Sequence, residues 1–141
     1  MELTNSRDGT QISVRMSGSG PPLLLVHGTT ADHTRWDGVS PRLEEHFTVY
    51  SMDRRGRGQS TDEGEYDILR EAEDVAAVVD SIPDPVSIVG HSYGAVCSLE
   101  ASTLTSNVRS MVLYEPTIPR ELPCIHPGCP TACSRSSTTV S

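Results

Sequence analysis

The chain has 141 residues, 19 acidic against 11 basic, and a formal net charge of −8, with Arg supplying every base. That length holds one domain with a real hydrophobic core, but not two comfortable ones. The acidic balance points away from nucleic acid and anionic membrane as partners, because only Arg54, Arg55 and Arg57 cluster.

The N-terminus, Met1-Glu2-Leu3-Thr4, lacks the basic flank and long apolar stretch of a signal peptide. The most apolar run, Leu23–Val26, is far too short to cross a bilayer, so a soluble, cytoplasmic protein is expected. From Thr10 to Ser17 the chain alternates, with Ile12, Val14 and Met16 to one side, as a half-buried strand does. Gly18-Ser19-Gly20-Pro21 is a turn. Leu23-Leu24-Leu25-Val26 then reads as a strand covered on both faces in a parallel sheet. Ser40 before Pro41 predicts an N-cap and a short helix to about His46. Phe47–Met52 is the next strand, followed by the Gly-punctuated loop Asp53–Ser60.

Asp67 predicts the N-cap of the clearest helix, in which Ile68, Ala72, Val75, Val79 and Ile82 recur at helical spacing until Pro83 and Pro85 end it. Val86–Val89 is a third buried strand, Tyr93–Thr103 a helix with a small-residue face, and Met111–Tyr114 a further strand. Alternating buried strands and helices predict an α/β fold, a mostly parallel sheet flanked by helices. From about Arg120 the apolar periodicity stops. Residues 1–119 are therefore expected to form the domain, and residues 120–141 a disordered or aberrant tail rich in Cys, Pro and Ser. Cys124, Cys129 and Cys133 crowd this tail with His126. Their spacing fits no common zinc site, and a truncated or out-of-frame C-terminus explains them more simply, so no metal is expected.

One junction carries chemistry. In Ile88-Val89-Gly90-His91-Ser92-Tyr93-Gly94 a buried strand stops, Ser92 follows, and a helix begins at once. A turn that sharp forces Ser92 into a strained backbone conformation with its hydroxyl standing clear. Gly90 and Gly94 allow the close approach of strand and helix. The hydroxyl lies at a helix N-terminus, where N–H groups and the helix dipole favour a developing oxyanion.

This G-x-S-x-G elbow resembles that of the α/β-hydrolase family. His27-Gly28 resembles the family's HG after the third strand, Asp53–Ser60 its D-x-R-G-x-G-x-S loop, and Leu113–Pro119 the segment leaving its sixth strand. The likeness runs from about residue 2 to 119, the front half of that fold (strands one to six), without its last strands or cap. The resemblance implies that Ser92 is the nucleophile, that Thr29 and Tyr93 N–H groups form the oxyanion hole, and that His27 fixes the loop rather than acting as the base. His91 is expected to face the opposite side of the strand. The Arg-Gly loop reads as a structural turn rather than a phosphate cradle, and Trp36 as packing under its loop.

A Ser nucleophile needs a His and an orienting carboxylate. The family's order is Ser, acid, His. Glu115 stands where some members carry the acid, and His126 is the one later His. The resemblance thus implies a serine hydrolase acting on a small-molecule, ester-like acyl substrate, without an organic cofactor and impaired by loss of the C-terminal acid and His. Relatives that open epoxides or cleave carbon–halogen bonds attack through Asp, which Ser92 argues against. The alternative is a non-catalytic truncated fragment or binding remnant. In that state the open edge of the sixth strand invites self-association.

Overall fold

The run Leu23-Leu24-Leu25-Val26 is buried along its whole length, and the molecule is built outward from it. The computed structural model describes residues 1–117. The expectations for the tail, its Cys124, His126, Cys129 and Cys133, and the boundary at residue 119 lie outside the described residues.

Six strands form one mixed sheet: β1 (Glu2–Asn5), β2 (Gln11–Gly18), β3 (Pro22–Val26), β4 (Thr48–Met52), β5 (Val86–His91) and β6 (Val108–Tyr114), in the order β1-β2-β4-β3-β5-β6. β1 and β4 flank β2 antiparallel; β4, β3, β5 and β6 run parallel. Three helices cover the faces: α1 (Ser40–Glu44), α2 (Ile68–Ser81) and α3 (Tyr93–Ala101), with a 3₁₀ turn at His33–Trp36.

Because side chains alternate along a strand, β3 feeds two cores. Leu24 and Val26 join Ile12, Met52, Val75, Val79 and Ile88 beneath α2 and α3. Leu23 and Leu25 join Val49 on the other face, against Trp36, Leu43, Phe47 and Val89. Each fully buried Leu or Val contributes about 1.5–3 kcal/mol. This is why β3 has no polar alternation. Asp67 caps α2 as expected, its carboxylate accepting from Arg70 N–H at 2.8 Å.

Several boundaries differ from the sequence reading. The resemblance to strands one to six implies β1, but the residue pattern does not mark it: four residues, mostly exposed, carry too little pattern, and pairing with β2 (Thr4 opposite Ile12) makes the strand. Ser40 is not the cap of α1. The Val39 carbonyl accepts the first helical bonds, and the chain already coils through Val39 N–H to Trp36 O, which draws Ser40 into the first turn and buries it. That helix ends at Glu44, short of His46. α3 stops at Ala101, where the Ser102 and Thr103 hydroxyls donate to the carbonyls of Leu99 and Glu100. β5 runs on through Gly90 and His91. β6 starts three residues early, its exposed Arg109 and Ser110 having hidden it.

Candidate active site

β5 and α3 meet at Ser92, whose backbone has φ 54° and ψ −121°. This is left-handed territory that a non-Gly residue enters only under constraint, at about 1–3 kcal/mol. The constraint is visible on both sides. Ser92 N–H donates to Tyr114 O at 2.9 Å, tying the turn to the end of β6, and Ser92 O accepts from Ala95 N–H at 3.0 Å. A Cβ on Gly90 would lie 2.6 Å from Ala95 Cα, so strand and helix touch there. Gly94 answers a different need from the one expected. Its missing Cβ leaves room for the carbonyls of Val26 and His27, at the end of β3 rather than of β5, because the register sets Val26 beside Gly90.

Ser92 is half-buried, and its Oγ lies 3.0 Å from Thr117 Oγ1. Thr117 reaches it because Glu115, at φ 48°, turns the chain just past β6. Glu115 is itself exposed, and among the described residues it makes no hydrogen bond with Ser92 or with a His. The structure therefore joins Ser92 to Thr117, which the sequence reading missed, and leaves Glu115 apart. An exposed "EPT" carries no pattern that foretells the contact.

Gly28 packs against the elbow: a Cβ there would stand 3.2 Å from Ser92 Cβ and 3.3 Å from His91 Nδ1. The following Thr29 N–H has no hydrogen-bond partner among the described residues. Tyr93, the first residue of α3, has an N–H that no helical carbonyl can take. His91 stacks on Tyr114 with centroids 5.4 Å apart, on the strand face of Val89. It makes no hydrogen bond with Ser92.

His27 is fully buried. Arg54 N–H donates to its Nε2 at 3.1 Å, which leaves the proton on Nδ1, and Nδ1–H donates to Gly28 O at 2.8 Å. Burial, opposed by the bond to Gly28, lowers its pKa, so the ring is neutral and locked. It fixes the loop.

The Arg-Gly loop is a structural turn. Arg54 and Arg55 are both buried. Arg54 Nε and Nη2 donate to the Glu71 carboxylate at 3.0 and 2.6 Å, and Arg55 forks Asp74 at 2.7 Å twice and reaches Asp8 at 2.9 Å. Burial works against the Arg54 charge, but Glu71 more than offsets it and holds the pKa above the ordinary Arg value. Two of the three clustered cations are thus neutralised inside the protein. Tyr66 Oη donates to Glu71 at 2.8 Å, and the Arg54 Cζ lies 4.8 Å from the Tyr93 ring centroid. Sequence reasoning missed this cluster. Beside α3's Tyr93, Cys97 is buried and its thiol is pushed up to about 12 by that burial, so it is no nucleophile.

Asp32, His33 and Asp53 offer one ligand atom each within 4.8 Å of one another. Ordinary hydrogen bonds account for the group: Asp53 Oδ1 accepts from His33 N–H and pairs with His33 Nδ1, both at 2.8 Å, its Oδ2 takes Gln59 N–H at 3.0 Å, and Asp32 caps Thr34. An open cleft of about 590 Å³ begins past Thr29, lined by Thr30, Asp32, Thr34, Arg35 and Arg57. Ser92 does not line it. No helix among the described residues is long and apolar enough to cross a membrane.

Strand order, elbow and loop define an α/β-hydrolase fold. Residues 23–137 match the profile of the alpha/beta hydrolase family, and the chain belongs to that family. A Mycobacterium tuberculosis protein named probable oxidoreductase EphD is 37% identical over 101 residues, 67% of this chain and 17% of that one. Among solved structures, an alpha/beta hydrolase from Sphaerobacter thermophilus is 39% identical with a TM-score of 0.76, over 82% of this chain and 45% of that one. The esterase RhEst1 from a Rhodococcus species is 31% identical with a TM-score of 0.73, again over 82% and 45%. The chain thus spans less than half the length of each of these three proteins.

Proposed function

We propose that this chain carries the nucleophile and oxyanion half of a serine hydrolase acting on an ester-like acyl substrate. Ser92 Oγ attacks the acyl carbon as its proton passes to a general base that is not among the described residues. The N–H groups of Thr29 and Tyr93 receive the charge that develops on the carbonyl oxygen, and the ester C–O bond then breaks to release the alcohol, which takes up that proton. The observation that carries this reading is the Ser92 backbone at φ 54°, held between Tyr114 O and the start of α3. A relaxed serine would need neither the close contact of Gly90 with α3 nor a tethered strand end to hold it. The likeness to an esterase supports the substrate class.

A second reading has its own observation. Among the described residues the partner of Ser92 Oγ is the Thr117 hydroxyl rather than an imidazole, which suits a binding remnant without turnover. Hydrolysis of p-nitrophenyl esters of increasing acyl length separates the two. Turnover above buffer that disappears in Ser92→Ala supports the enzyme; rates equal to those of Ser92→Ala support the remnant.

A further inference from the structure

Arg54 is placed where stability alone does not require it. Its guanidinium is 2% exposed and spends two nitrogens on Glu71. A buried ion pair of this kind returns little net stability, since desolvating both charges costs about what their attraction gives back. A packed apolar pair would hold α2 to the loop as well. What the guanidinium adds is direction. With Nε and Nη2 fixed by Glu71, Nη1 is aimed at one atom, Gly28 O, at 2.9 Å.

Gly28 O therefore accepts two hydrogen bonds, from Arg54 Nη1 and from His27 Nδ1 at 2.8 Å. The Arg54 side chain makes the first; the backbone N–H of residue 54, whatever its side chain, occupies His27 Nε2 and so sets which imidazole nitrogen makes the second. Gly28 O belongs to the same peptide unit as Thr29 N–H. In a planar trans peptide the C=O and N–H point in opposite directions, so donors that fix the oxygen also fix the hydrogen. They polarise the unit too, drawing density toward the oxygen and strengthening the N–H as a donor. The same guanidinium lies against the ring of Tyr93, whose N–H is the second donor proposed above.

We propose that Arg54 is the positioning residue of the oxyanion site: it acts through the Gly28–Thr29 peptide to aim and polarise the Thr29 N–H, with Glu71 holding it in place. This rests on the assignment of Thr29 as an oxyanion donor. Arg54 touches no reacting atom.

The test uses the full chain with Arg54→Met and Arg54→Lys, neither of which can fork Glu71 and reach Gly28 O together. Two signals are read: the amide shift and hydrogen exchange of Thr29, and the phosphonylation of Ser92 by a fluorophosphonate. Both variants are expected to move the Thr29 resonance and speed its exchange about tenfold. They are also expected to lower the maximal labelling rate about tenfold at unchanged half-saturating concentration, short of the 10²–10³ expected for deleting a donor outright. Tyr66→Phe removes one hydrogen bond to Glu71 but keeps both Arg54–Glu71 hydrogen bonds and the Arg54 Nη1 bond to Gly28 O, so the Thr29 signals change far less than in either Arg54 variant. Where Arg54→Met fails to fold around an unpaired Glu71, the double variant with Glu71→Leu removes both charges and gives the same reading. Folded variants with unchanged Thr29 signals overturn the proposal, as does an equal effect from Tyr66→Phe. A wild-type Ser92 that takes no label overturns the nucleophile assignment alone, and the Thr29 signals then decide the role of Arg54.

Discussion

Gly94→Ala puts the packing of the elbow under direct strain. The added methyl points at the carbonyl oxygens of Val26 and His27, closer than real Cβ atoms come to anything. Neither oxygen can swing aside, since both belong to the backbone at the end of the central strand. Overpacking typically costs 1–3 kcal/mol, and a collision with two fixed oxygens belongs at about 3. Replacing Gly by Ala inside a helix returns about 1 kcal/mol. The net loss is about 2 kcal/mol, which lowers Tm by about 8 °C in a domain of this size. Urea unfolding followed by circular dichroism reads it as a lower midpoint at unchanged slope. Gly38→Ala is the reference, because a Cβ at Gly38 meets nothing within 4 Å. A Gly94→Ala protein as stable as Gly38→Ala would refute the packing described for the elbow.

Ser92→Gly removes the hydroxyl and the backbone strain together, whereas Ser92→Ala removes only the hydroxyl; relief of about 1–3 kcal/mol of strain, less about 1 for the freer unfolded Gly chain, should leave the Gly variant more stable by up to about 2 kcal/mol in paired unfolding curves. His27 is held below its ordinary pKa of 6.5, so the unfolded chain binds its proton first as pH falls. Stability should therefore drop from pH 6.5 downward by up to about 1.4 kcal/mol per pH unit, levelling once the folded ring is protonated, and His27→Gln should flatten that stretch of the profile. Among the described residues β6 is an edge of the sheet and exposes Val112 and Tyr114. The chain is expected to self-associate along that edge, and Val112→Lys should shift sedimentation velocity profiles toward monomer; identical profiles for both proteins would refute the edge as the contact.

What the sequence disclosed and what it hid follow one physical division. Leu23–Val26 was legible because burial on both faces erases polar alternation, and Asp67 because a cap is a local hydrogen bond. The elbow was legible because symmetric glycines around a Ser have few other uses. Long-range contacts were not. Arg54 meets Glu71 and Gly28 across 17 and 26 residues, and nothing local marks a cation in a Gly-punctuated loop as buried. Thr117 is silent for the same reason, since its partner lies 25 residues away. β1 and the first half of β6 escaped because edge strands expose the positions that would otherwise carry a pattern. Ser40 misled because a capping residue type before Pro says nothing of a chain already coiled ahead of it.

The bend between β5 and α3 presents one hydroxyl, that of Ser92, beside the N–H groups of Thr29 and Tyr93. Treating the full chain with a fluorophosphonate and mapping the adduct by mass spectrometry tests whether that hydroxyl is reactive, without needing a substrate. A single modified residue is expected, Ser92, labelled far faster than the other serines and lost in Ser92→Ala. Equal, slow modification of Ser92 and the surface serines would contradict it.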